Sequence, residues 1–246
     1  MTAPARTLLG MLTPSSNTVL EPVTAQILNG LPHVSAHFAR FRVTQIALSD
    51  HALAQFAQTD ILRAASLLAD ARCRVIAWNG TASGWLGFEA DTILCREIEA
   101  ATGARAATSV LALNEALALT GVRRLGIVSP YTPDVQARIG ANYAALGIDV
   151  VAERHWNLAD NFSFSEVDEA TIASGIREVA AQGAEAVAVY CTNLRGAPLA
   201  GMLERECAVP VYDTVATAVW KSLHLAGEDV RRVRGWGRLF DLLPGN

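Results

Sequence analysis

Long apolar runs are missing from this 246-residue chain. None approaches the roughly 20 consecutive residues that a membrane-spanning helix needs, and the opening "MTAPARTLLGMLTP" turns to proline and polar residues too soon for a signal peptide. The expectation is a cytoplasmic protein with no membrane partner. Cysteine is scarce: Cys73, Cys95, Cys191 and Cys207 are widely spaced, with no C-x-x-C pair and no Cys/His cluster of zinc-ligand spacing. Neither a disulfide framework nor a metal site is expected. The five histidines are as scattered, and the only pair four apart, His33 and His37, falls in an alternating, strand-like stretch. Charge of one sign is also lacking, since a net charge of -4 comes from mixed residues without a Lys/Arg stripe or interleaved aromatics. A nucleic-acid partner is therefore not expected.

What the chain does have is a core, with 51% hydrophobic residues, laid out as alternating units. "TLLGMLTP", "VSAHFARFRV" and "CRVIAWNG" read as strands; "SNTVLEPVTAQILNGL", "DILRAASLLADA" and "FEADTILCREIEAAT" read as amphipathic helices between and after them. This βαβα rhythm predicts an α/β fold with parallel sheets covered on both faces. The rhythm then restarts. "RTLLGMLTPSSNTVLEP" is echoed by "VRRLGIVSPYTPDVQAR", "CRVIAWNGTASG" by "AEAVAVYCTNLRG", and "GARAATSVLALNEALALTGVRR" by "AVPVYDTVATAVWKSLHLAGEDVRR", in the same order and at similar offsets. The echoes predict two similar Rossmann-like half-domains, 1–104 plus 213–246 and 105–212, related by a pseudo-twofold axis. In open parallel sheets ligands bind beyond the carboxyl ends of the strands, so "TPSSNT", "NGTASG", "SPYTPD" and "YCTNLRG" should meet in a cleft between the halves. There Cys191 opposes Gly80.

These segments, in this order, resemble the aspartate/glutamate racemase superfamily, which includes hydantoin racemase, maleate cis-trans isomerase and arylmalonate decarboxylase. "PSSNT" looks most like the isomerase branch; "NGTAS", "PYTPDV" and the single strand-end cysteine look more like the decarboxylase branch. The resemblance implies cofactor-independent chemistry beside a carboxylate, with one thiol in each half in racemases and isomerases. Here the first-half position is Gly80, which neither accepts nor donates a proton, so two-base racemisation lacks one partner and a first-half nucleophile is absent.

The residues suggest roles. An enediolate needs preorganised donors, and Thr81, Tyr131 and the backbone N–H groups near Ala82 and Thr192 are the candidates; the resemblance likewise implies Thr81, Tyr131 and Thr192 around the substrate carboxylate. Pro14, Ser15 and Asn17 lie in "PSSNT", which reads either as a helix cap or as a carboxylate site in which Asn17 donates its amide. Asn193 belongs to the Cys191 loop, and "NLADNFSFSE", with Asn157, Asn161 and Ser163, is either a cover for the cleft or a packed polar turn. Cys191, near a helix start, is expected to have a lowered pKa and to shuttle a proton; Trp78, Trp85 and Leu86 either desolvate the departing group or belong to the core.

Three readings are open. The first is a lyase that decarboxylates a substituted malonate with Cys191 as proton donor. The second is a maleate-type isomerase or an amino-acid or hydantoin racemase, and the third a non-catalytic small-acid binding protein. No cofactor is expected, the partner is a small dicarboxylate, and whether the chain forms a homo-oligomer is left open.

Overall fold

The computed structural model describes residues 6–243 and 245; residues 1–5, 244 and 246 lie outside the description. In chain order the elements are β1 (Thr7–Pro14), α1 (Leu20–Leu28), β2 (Val34–Phe41), α2 (Asp50–Ala54), α3 (Gln58–Asp70), β3 (Val75–Trp78), α4 (Ser83–Leu86), α5 (Glu89–Thr102), β4 (Arg105–Thr108) and α6 (Ser109–Thr120). They continue as β5 (Arg124–Ser129), α7 (Pro133–Ala145), β6 (Asp149–His155), α8 (Glu169–Ala180), β7 (Ala186–Val189), α9 (Ala200–Cys207), β8 (Val211–Asp213) and α10 (Thr214–Leu225). Two four-stranded parallel sheets result, ordered β2-β1-β3-β4 and β6-β5-β7-β8. The same order in both is the architecture that the three echoes predict.

The inner strands explain why the chain folds this way. Val75–Trp78 and Ala186–Val189 are buried at every residue, as apolar strands covered on both faces must be. Helix starts are fixed by side chains that satisfy free N–H groups: Thr108 accepts from Leu111 N, Asp168 from Thr171 N, and Asp213 from Val215 N and Ala216 N. α1 begins at Leu20, four residues later than the sequence pattern suggests. Asn17 Oδ1 takes the N–H groups of Val19 and Leu20 at 3.0 and 2.9 Å, closing a side-chain turn over Asn17–Leu20 ahead of the helix.

The halves interlock. Although α10 comes after β8 of the second sheet, it packs on β3 and β4 of the first, and on α6; Thr217 Oγ1 donates to Ser109 O across that contact at 2.8 Å. Residues 105–108, grouped with the second half on sequence grounds, form the outer strand of the first sheet. Short helices α2 and α4 lie in stretches where no periodicity announces them.

Candidate active site

Strand register makes the comparison of Gly80 with Cys191 a structural one. Leu9 in β1 pairs with Val75 in β3, and Leu125 in β5 pairs with Ala186 in β7. Counting onward, Trp78 corresponds to Val189, Gly80 to Cys191 and Thr81 to Thr192. Gly80 and Cys191 are each the second residue beyond the central strand of their sheet.

The two loops meet in one narrow pocket of about 20 Å³. Of the residues singled out in the sequence, Pro14, Gly80, Thr81, Ala82, Tyr131, Asn161, Cys191 and Thr192 line it, together with Trp78 and Trp85. Leu86 does not; it is half-exposed and borders a neighbouring space. Val43, Ile46 and Phe56 complete the wall. They come from the segment after β2, which carries no polar signature for a sequence reading to detect.

Cys191 is 2% exposed. Its sulfur accepts a hydrogen bond from Asn193 N at 3.3 Å and is in hydrogen-bonding contact with the Tyr131 hydroxyl. The expectation of a lowered pKa is corrected here: burial pushes the thiol up to about 12, outweighing the Asn193 N–H and the Tyr131 hydroxyl, and the nearby Asp213 carboxyl adds to the rise. No long helix starts at Cys191 to oppose this, since α9 begins at Ala200. The thiol is therefore protonated at neutral pH.

Around it stand hydrogen-bond donors. Thr81 Oγ1 and Tyr131 Oη are bonded to each other, and Tyr131 is clamped edge-on by Trp85 and Phe164 at ring-centroid distances of 5.3 and 5.6 Å. Among the described residues, the backbone N–H groups of Gly80, Thr81, Ala82 and Thr192 have no protein acceptor. Donors from both halves thus face one pocket, an arrangement suited to a carboxylate that gains charge.

The other polar candidates tie the halves together. Asn17 Nδ2 donates to Thr192 O and Oγ1, both at 3.1 Å. Asn193 Oδ1 accepts from Thr18 N at 3.0 Å and its Nδ2 donates to Asn161 O at 2.6 Å. With these bonds made, neither Asn17 nor Asn193 lines the pocket. Ser15 is exposed, with its hydroxyl accepting from Val43 N. Asn161 Nδ2 donates to Ser16 Oγ at 2.7 Å, and backbone bonds from Ile46 N to Ala159 O and from Asn161 N to Thr44 O hold its loop over the cleft. Of its two phenylalanines, Phe164 is fully buried and Phe162 half-exposed.

Two features had no usable sequence signal. A Cβ built on Gly80 would lie 2.0 Å from the Trp78 ring, so an indole occupies the place that a side chain at 80 would take. Asp213, fully buried, caps α10 while its second oxygen, Oδ2, has no partner among the described residues; desolvation raises its pKa to about 7. Among the described residues, no group of three or more His, Cys, Asp or Glu could hold a metal ion, and no helix is long and apolar enough to cross a membrane.

The family model for arylmalonate decarboxylase matches residues 10–240. The chain belongs to that family. Arylmalonate decarboxylase of Bordetella bronchiseptica is 29% identical over 152 residues, which is 61% of this chain and 62% of that protein, less than two thirds of its length. Maleate isomerase of Pseudomonas putida KT2440 is 24% identical over 229 residues, covering 87% of this chain and 90% of that one. A crystal structure of a mutant Nocardia farcinica maleate cis-trans isomerase with a covalently bound succinylcysteine intermediate superimposes with a TM-score of 0.86 at 22% identity, covering 96% and 98% of the two chains. That likeness carries the fold. The arylmalonate decarboxylase family and its similar proteins are thus enzymes of two outcomes, loss of a carboxyl group and double-bond isomerisation.

Proposed function

We propose that this protein is a cofactor-independent lyase that decarboxylates a small substituted malonate, with Cys191 as the single proton donor. The observation that carries the reading is a buried thiol that shares its pocket with a glycine at the register-matched position of the other half. At a pKa of about 12 only about one thiol in 10⁵ is ionised at pH 7. This suits an acid and disfavours a nucleophile that must add to a double bond.

One substrate carboxylate accepts hydrogen bonds from the N–H groups of residues 80–82 and from Thr81 and Tyr131. The other faces the apolar wall of Val43, Ile46 and Trp85, where loss of hydration destabilises its charge. The bond between the α-carbon and that carboxyl breaks and carbon dioxide leaves. The electron pair delocalises into the retained carboxylate as an enediolate, stabilised by the donors already aimed at it. The Cys191 S–H bond then breaks as a C–H bond forms, and the thiolate, a strong base at this pKa, takes a proton from water.

A second reading, maleate-type isomerisation, is favoured by the extent of the isomerase match, 87% of this chain against 61% for the decarboxylase relative. Racemisation and simple acid binding have no comparable support. Incubation of the purified protein with 2-methyl-2-vinylmalonate, maleate and free amino acids in deuterium oxide, followed by proton NMR, separates them all. Conversion of the malonate with one deuterium at the α-carbon is the expected result; fumarate from maleate would instead establish the isomerase, α-exchange of amino acids the racemase, and binding without turnover the acid-binding protein.

A further inference from the structure

Trp78 borders two spaces. It lines the Cys191 pocket, and together with Phe56 and Ala82 it also lines a second compartment of about 70 Å³, walled further by Ile61, Leu86 and Leu94 and, on its polar side, by Gln58, Ser83 and Asp91. Alone, the Cys191 pocket has only about 20 Å³ of free space, room for little more than one water molecule. The indole is held in place against Phe41, ring centroids 5.1 Å apart, and is 2% exposed. Its ring stands within 2.0 Å of where any side chain at position 80 would begin. The space that Gly80 leaves open is therefore not available to substrate.

We propose that Trp78 is the specificity-determining residue of this site, a partition that restricts the substituent on the α-carbon to small groups by closing the Cys191 pocket off from the compartment behind it, whose wall is mostly apolar on the Ile61, Leu86 and Leu94 side. The claim deepens the reading of the site as a malonate decarboxylase and rests on it for the word substrate. Shrinking Trp78 to valine, the residue at the equivalent position of the second half, joins the two spaces and admits a phenyl-sized substituent. Phenylalanine at 78 keeps the wall.

A test independent of turnover is alkylation of Cys191, located by peptide mass spectrometry, with 2-bromoacetate and 2-bromo-2-phenylacetate. In each case the sulfur displaces bromide and the thiol proton goes to solvent. Rates are normalised to those of glutathione with the same reagent. The unmodified protein should discriminate at least about tenfold against the phenyl reagent, the cost of overpacking a closed pocket. Trp78→Val should bring the ratio close to unity, and Trp78→Phe should keep most of the discrimination. Circular dichroism verifies folding, and Trp78→Leu is read in place of valine if that variant does not fold. An unchanged ratio in the folded small variant, or no discrimination in the unmodified protein, overturns the partition. A second arm compares turnover of 2-methyl-2-vinylmalonate and 2-methyl-2-phenylmalonate, with Trp78→Val expected to shift the preference toward the phenyl substrate by at least about tenfold. Turnover of neither, with the alkylation shift intact, overturns the decarboxylase reading and leaves the partition standing.

Discussion

The loops after β3 and β7 begin from the same strand register and end in opposite chemistry. After β7 the sequence Val189-Tyr190-Cys191-Thr192 puts a small residue at the strand end and a thiol two positions on. After β3 the sequence Trp78-Asn79-Gly80-Thr81 puts the largest side chain at the strand end and none two positions on. The exchange is coupled by volume, because the Trp78 ring fills the place that a side chain at 80 would use. A duplicated scaffold supplies two equivalent positions, and packing decides which of them carries a reactive group. One face of the pocket carries a thiol and the other a wall.

The largest effect should come from deleting the acid. Cys191→Ala is expected to lower the catalytic constant by about 10³ to 10⁴, the contribution of a positioned general acid. Circular dichroism should be unchanged, since only a sulfur atom is lost. Next come the donors shared between the halves: Tyr131→Phe and Thr81→Val should each reduce the catalytic constant by about a hundredfold, as deletion of one oxyanion donor does. An effect confined to the Michaelis constant would mean that they bind the ground state alone.

Converting the wall into a second thiol face tests the coupling itself. Gly80→Cys alone should lose about 1–3 kcal/mol of stability through overpacking against the indole, read as a lowered midpoint in urea. Added to Trp78→Val, Gly80→Cys should cost little further stability, because the ring it would overlap is gone, and the double variant should gain exchange of the α-proton of the product acid in deuterium oxide, because two groups then flank the carbon.

The smallest effect concerns Asp213, whose pKa of about 7 lies above the ordinary value of 3.8 because burial disfavours its charge. A raised carboxyl contributes stability that is present in full below pH ~4 and is lost as pH rises to ~7. Asp213→Asn keeps an acceptor for the α10 cap without the charge. It should therefore match the unmodified protein near pH 4 and exceed it above pH 7 by about 1–3 kcal/mol. Urea unfolding at the two pH values measures this. The same change removes a charge that raises the Cys191 thiol, so alkylation of Cys191 should reach its half-maximal rate at a lower pH.

The two similar parallel-sheet halves and the pairing of Cys191 with Gly80 were legible in the sequence because both rest on repeats. Strands such as "VIAW" and "AVAV" are short and apolar, and each runs into a turn whose residues can be compared directly. Eight of the eleven residues named for the site line one pocket for the same reason. The remaining three show where the pattern stops. Ser15, Asn17 and Asn193 are polar residues in strand-end loops, and sequence does not tell a polar group that faces a ligand from one that satisfies a neighbouring backbone. Here Asn17 and Asn193 hold the halves together. The sign of the Cys191 shift was also hidden, since it depends on how completely Tyr131, Phe164 and the cover loop exclude water, a property of side chains from distant segments. Trp78 reads as an ordinary strand-end aromatic until its ring is seen to lie over Gly80.

The most direct test of a single acid on a single face is the stereochemical course of the reaction. Decarboxylation of prochiral 2-methyl-2-vinylmalonate in deuterium oxide should yield one enantiomer of the α-deuterated acid, resolved by chiral chromatography, because Cys191 delivers from one side and Gly80 and Trp78 offer no acid that could protonate carbon on the other. Racemic product would contradict this account, as would enantiopure product formed at an undiminished rate by the Cys191→Ala variant.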